Sequence, residues 1–210
     1  MIICVTDRLH CQGNFLEKIE QIAEALPYSI ILREKDLQLN EYEKLAIEVS
    51  RICHSYNVPL VINSHISIAK KIKASNIQLP MEIFLEQREE LSNFKNIGVS
   101  VHSVEEAKLV EGMGADYIIA GHIFPTDCKK GVPPRGLDFL KIICSAVDIP
   151  VFAIGGINGD NIIDVLNCGA TGICLMSQLM KCDNPEEAIG SHRKLFECCK
   201  CIRNSELDVH

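Results

Sequence analysis

The sequence predicts an α/β fold, a single (β/α)8 TIM barrel, on three observations. Eight short apolar segments rich in β-branched residues recur along the chain. Most are apolar throughout rather than alternating, which is the pattern of strands covered on both faces. Stretches of helical periodicity separate them, and 210 residues suffice for one barrel with short loops, somewhat under the usual ~250. An open doubly wound sheet is the structural rival, because it uses the same alternation.

In chain order the strand signals are "IICVT" (2–6), "SIILR" (29–33), "PLVIN" (59–63), "NIQL" (76–79), "IGVSV" (97–101), "YIIAG" (117–121), "PVFAIGG" (150–156) and "GICLM" (172–176). Between them, "FLEKIEQIAEAL", "YEKLAIEVSRICHSY", "SVEEAKLVEGM" and "NIIDVLNCG" place apolar residues at helical spacing, and the last two run into glycine, a common helix stop. Ser103 with Glu106 three residues on forms a capping-box signature. The stretch "PMEIFLEQREELSNF" (80–94) gives the weakest helical signal, so a short or irregular helix is expected there. No linker or repeat divides the chain. The domain is expected to span 1–202, with the polar "RNSELDVH" (203–210) as a frayed tail.

Composition narrows the functions. The chain is 47% hydrophobic with a formal net charge of -7 and a pI near 5.5. An acidic chain lacks the basic face that nucleic acid or an anionic membrane would need. No apolar run approaches the roughly 18 residues that span a bilayer, and Asp7 and Arg8 interrupt the first ten positions. A cytoplasmic protein without membrane or nucleic-acid partners is expected. The eleven cysteines include Cys198, Cys199 and Cys201 in "CCKC", but the other eight are scattered through strand-like and helix-like segments. Reduced, structurally incidental thiols are the expectation. A tail zinc site from Cys198, Cys201 and His192 or His210 is the alternative.

A barrel puts its site at the carboxyl ends of the strands. The residues that follow each strand there are Thr6 and Asp7, Arg33 to Lys35, Asn63 and Ser64, Gln78, Ser100 and His102, His122 with Thr126 and Lys129, Gly155 and Gly156, then Met176 and Ser177, so polar groups converge from around the ring. Glycines and a serine after the last two strands suit a phosphate, because backbone N–H groups can approach the anion there. Arg33 and Lys35 leave their strand at alternate positions and so point the same way, with Lys129, Lys130 and Arg135 in a neighbouring loop. Cations gathered at one mouth of an acidic protein imply an anionic ligand. His122 adds a proton carrier, since an imidazole accepts and returns protons near neutral pH.

The stretches "SVHSVEEA", "GADYIIAGHIFPTDCKKGVPPRGLDFL", "IPVFAIGGINGDNI" and "GATGICLMS" together resemble the thiamine phosphate synthase superfamily, in order and across most of residues 2–180. The resemblance implies a (β/α)8 barrel that either joins a pyrimidine diphosphate to a thiazole phosphate or isomerises the thiazole phosphate. Synthases resemble "QLREK", "NDD" and "GIHLGQED" after strands two, three and four, where this chain has "ILREK", "NSH" and "NIQLPMEI". Arg33, Lys35 and Asn63 match. Ile31 stands in place of the family's pyrimidine-binding glutamine, while Ser64 and Ile83 replace the two Mg²⁺-binding aspartates. Neither replacement supplies the carboxylate oxygen that a hard cation needs.

After strand six, synthases resemble "GPIFPTxTK", whereas "GHIFPTDCKKG" and "IQLP" are similar to the TenI group, the thiazole tautomerases. The resemblance therefore implies aromatisation of a carboxylated dihydrothiazole ethyl phosphate, with His122 as the acid/base and no metal or cofactor. It further implies that Thr126 and Lys129 hold the carboxylate and that Gly155, Gly156 and Ser177 hold the phosphate. Arg33, Lys35, Asn63, Gln78, Ser100 and Met176 complete the pocket. A thiamine phosphate synthase with an altered metal site and a non-catalytic thiazole phosphate-binding regulator are the alternatives. A homodimer is compatible with the sequence, which carries no signal that fixes the oligomeric state.

Overall fold

The computed structural model describes residues 1–207, with side chains described through residue 199. Its strands are β1 (Ile2–Val5), β2 (Ser29–Leu32), β3 (Leu60–Asn63), β4 (Asn76–Pro80), β5 (Asn96–Val101), β6 (Tyr117–Gly121), β7 (Val151–Ile154) and β8 (Gly172–Leu175). All pair in parallel, each with its sequence neighbours, and β8 returns to β1 with Cys174 opposite Ile3. That last pairing closes the barrel and removes the open doubly wound sheet as an option.

The helices are α1 (Phe15–Glu24), α2 (Leu39–Ser55), α3 (Ile66–Lys71), α4 (Met81–Glu86), α5 (Val104–Gly112), α6 (Gly136–Ala146), α7 (Ile162–Asn167), α8 (Ser177–Lys181) and α9 (Pro185–Leu207). Side chains alternate across each strand, so one set fills the barrel and the other meets the helices. Ile3, Val5, Ile31, Val61, Ile119, Phe152 and Cys174 pack inside. Their neighbours Ile2, Cys4, Ile30, Leu32 and Ile62 pack outward against the helical layer. Both faces are dry along most strands, which is why those segments are continuously apolar, whereas β4 and β5 turn Gln78 and Ser100 toward the cavity.

Local signals account for most boundaries. The Asn14 side chain accepts the N–H groups of Leu16 and Glu17 at 2.9 and 3.2 Å, capping α1. Ser103 Oγ accepts the Glu106 N–H at 3.1 Å, as the capping signature implies. The reciprocal bond is displaced by one residue: the Glu106 carboxylate accepts the N–H of His102 at 2.5 Å. The weak helical stretch is indeed broken, with α4 limited to six residues and followed by a 3-10 turn over Arg88–Leu91.

The ten described cysteines are free thiols. Burial pushes the Cys53 thiol up to about 12 and the Cys144 thiol to about 11, so neither is a ready thiolate. Among the described residues, no three His, Cys, Asp or Glu side chains are placed to hold a metal ion. Cys201 and His210 of the alternative zinc site lie outside the described side chains. Helix α9 continues to Leu207, into the segment expected as a tail, and residues 208–210 lie outside the described residues. No described helix is long and apolar enough to cross a membrane.

Candidate active site

A cavity of about 320 Å³ opens at the carboxyl ends of the strands. Inward-facing strand residues make its floor: Val5, Ile31, Ile119, Ile154 and Cys174. Its walls are the residues that leave each strand, because the side chain after the last inward apolar position points into the mouth. Arg33, Lys35, Asn63, Gln78, Ser100, His122, Thr126, Lys129, Gly155, Gly156, Met176 and Ser177 all line it. Ser64 and His102 join them, as do Pro80, Cys128 and Gln178, which carry no chemical signal in the sequence.

One wall brings two chain segments unusually close. Gly155 and Gly156 have φ of +100° and +66°, in the left-handed region that favours glycine. A Cβ on Gly155 would lie 2.3 Å from the Cβ of His122, and one on Gly156 would lie 2.5 Å from the Pro125 carbonyl oxygen. Glycine here lets the loop after β7 press against the loop after β6. Ser177 opens α8 beside them.

The opposite wall is cationic. Lys35 is held below the usual lysine range, first by the Arg33 guanidinium beside it, then by burial, then by Lys129. The intervening Glu34 does not relieve this crowding, since it points away from the cavity and is only 3% exposed. Its carboxylate accepts the Thr6 hydroxyl at 2.5 Å and the Arg8 N–H at 2.9 Å, and Thr6 Oγ1 in turn accepts the Arg33 N–H at 3.0 Å. Burial pushes the Glu34 carboxyl up, while those donors pull it down. This network ties β1 to β2 and directs Arg33 and Lys35 inward. Among the described residues, no Asp or Glu lines the cavity.

His122 is only 4% exposed. Its Nε2 lies 3.2 Å from the carbonyl oxygen of Val132, in the loop that folds back over it. A carbonyl can only accept, so Nε2 carries the hydrogen and Nδ1 of the neutral ring is left bare. Two backbone bonds close the same loop, from Arg135 N–H to the His122 carbonyl at 2.9 Å and from Gly136 N–H to that of Ile123 at 3.0 Å. The Val132 contact was not legible in the sequence, because a backbone acceptor ten residues away carries no side-chain signature.

The family model described as thiamine monophosphate synthase matches residues 2–179. The chain belongs to the thiamine monophosphate synthase family. It is 39% identical over 185 residues to the thiamine-phosphate synthase of Clostridium botulinum strain Hall, covering 86% of this chain and 90% of that one. The thiamine-phosphate synthase of Pyrococcus abyssi is 36% identical over 183 residues, covering 87% and 88%. Among solved structures, a thiamine phosphate pyrophosphorylase from Pyrococcus furiosus superposes with a TM-score of 0.81 at 31% identity, covering 94% of this chain and 96% of that one.

Within that family this member's cavity is poorly suited to Mg²⁺. The Ser64 hydroxyl accepts the Asn63 amide at 2.8 Å, and Ile83 packs against the outer core rather than lining the cavity. With no carboxylate on the wall, the donor set lacks the charged oxygens by which Mg²⁺ is ordinarily held beside a phosphate. Deeper in the cavity, Gln78 donates from Nε2 to Ser100 Oγ at 3.1 Å. Gly98 makes room for this arrangement, since a Cβ there would stand 2.2 Å from Gln78 Oε1 and 2.1 Å from the Tyr117 ring.

Proposed function

We propose that this family member is a thiazole tautomerase, which aromatises a carboxylated dihydrothiazole ethyl phosphate to the carboxythiazole phosphate. The observation that carries the reading is His122: an imidazole with one nitrogen held by a backbone carbonyl and the other bare, in a cavity whose wall has cations but no carboxylate. Gly155, Gly156 and Ser177 hold the substrate phosphate, and Thr126 and Lys129 hold its carboxylate. His122 Nδ1 accepts the proton from ring C2, and the electron pair of that bond enters the ring as it becomes aromatic. The exocyclic carbon gains a proton. The cationic wall stabilises the negative charge that develops in between.

A second reading, transfer of a pyrimidine diphosphate to a thiazole phosphate, is favoured by the names of the relatives and by Arg33, Lys35 and Asn63 at the cavity. Paired incubations separate the two. One holds the dihydrothiazole phosphate, and the other holds the pyrimidine diphosphate, the thiazole phosphate and Mg²⁺. Tautomerase chemistry predicts accelerated consumption in the first only; product in the second at a comparable rate supports the transferase.

A further inference from the structure

The reaction above removes a proton from one carbon and delivers a proton to another, and a single bare nitrogen on His122 serves one position at a time. A second imidazole lines the same cavity. His102 leaves β5 at the mouth, where it is exposed. Its Nδ1 lies 2.9 Å from the carbonyl oxygen of Gly121, the residue before His122. The acceptor is again a carbonyl, so in the neutral ring Nδ1 carries the hydrogen and Nε2 is left bare. The backbone of His102 is fixed as well, by the Glu106 carboxylate on its N–H. Two histidines in one cavity are thus held by backbone carbonyls on opposite ring nitrogens. Among the described residues, the cavity wall offers no carboxylate that could play the same part.

We infer that His102 is the second proton carrier, the general acid that delivers a proton to the exocyclic carbon. The inference rests on the tautomerase reading. The buried His122 Nδ1 takes the C2 proton and becomes an imidazolium. His102, protonated at Nε2 from solvent, gives that proton to the exocyclic carbon and becomes neutral. The C2–H pair joins the ring π system and the exocyclic double-bond pair forms the new C–H bond, so no electrons are gained or lost. Exchange with water returns His122 to neutral and His102 to its charged form. The exposure difference assigns the roles, because the acid must be recharged from solvent before each turnover.

The test follows a label and two variants. Substrate bearing deuterium at C2 is converted by the wild-type protein in ordinary water. The inference predicts protium at the new position with no deuterium carried over; deuterium carried into that position means that one histidine serves both carbons and overturns it. His102→Asn keeps an amide donor near the place of Nδ1, for the Gly121 carbonyl, but has nothing in the place of Nε2. His102→Gln puts its amide near the place of Nε2 instead. Both are expected to lower kcat by about 10²-fold or more with product affinity unchanged, as loss of a general acid does. Recovery of wild-type kcat in His102→Asn would show that His102 only anchors Gly121 and would overturn the inference. Failure of the wild type to consume the substrate at all would remove the tautomerase reading itself, and the second-carrier role with it.

Discussion

In the proposed reaction His122 is the proton carrier, and its contact with Val132 suggests the substitution that isolates it. Glutamine can reach the Val132 carbonyl with its amide nitrogen, as Nε2 does at 3.2 Å, but has no group that titrates. His122→Gln is therefore expected to lower kcat by about 10² to 10⁴, or roughly 3 to 5 kcal/mol of barrier, with product affinity retained. Kinetics and product binding measured on the same folded variant check this; kcat within a few-fold of wild type would take His122 out of the mechanism. Lys35 supports a prediction of a different kind. Arg33 and Lys129 help hold its ammonium below the usual range in the ligand-free site, and an anion beside it would raise it again. Binding then takes up a proton between the free and bound values, so affinity falls as pH rises through that interval. Titration calorimetry with the aromatic phosphate above about pH 7.5, where the phosphate is already a dianion, should show this fall in the wild type and a flatter profile in Lys35→Met. An equal slope in both would place the anion elsewhere.

At the scale of elements, the contact between the loops after β6 and β7 determines where His122 stands. A methyl on Gly155 would meet the His122 Cβ at 2.3 Å and its Cα at 2.8 Å, on a backbone at φ +100°. Gly155→Ala is expected to destabilise the fold by about 1 to 3 kcal/mol and to lower kcat by displacing the imidazole. Gly159→Ala is the matched control, since a Cβ there meets nothing within 4 Å. Denaturant midpoints and kcat for both variants check the claim, and equal behaviour would mean that the loop contact does not position His122. The glycines themselves stand out in the sequence after the seventh strand. Their role in admitting the β6 loop was not legible there, because it depends on which loop lies across from them. The same limit applies to the Glu106 carboxylate: its helical spacing reveals a cap, while the bond to His102 rather than Ser103 depends on how the chain leaves β5.

At the scale of the molecule, the α/β class was legible because most strands are apolar on both faces, a pattern that a parallel sheet shows wherever it is covered on both sides, and the pairing of β8 with β1 then makes it a barrel. Strand β6 coincides with its sequence signal at both ends, whereas β7 stops at Ile154, two residues short of the apolar run, where Gly155 turns into the loop. The site was legible as a ring of strand-end residues because the fold fixes where those residues go. What the ring does depends on contacts between and within the segments that follow the strands, and these fix the bare nitrogens of His122 and His102 and turn Glu34 away from the cavity. From those contacts we propose that proton transfer by the cavity's own side chains, with no metal held on its wall, carries the reaction. The most direct test is the rate of dihydrothiazole phosphate consumption by the full-length protein before and after exhaustive chelation. An unchanged rate, with no gain when Mg²⁺ is restored, is predicted; a marked fall that Mg²⁺ reverses would contradict it.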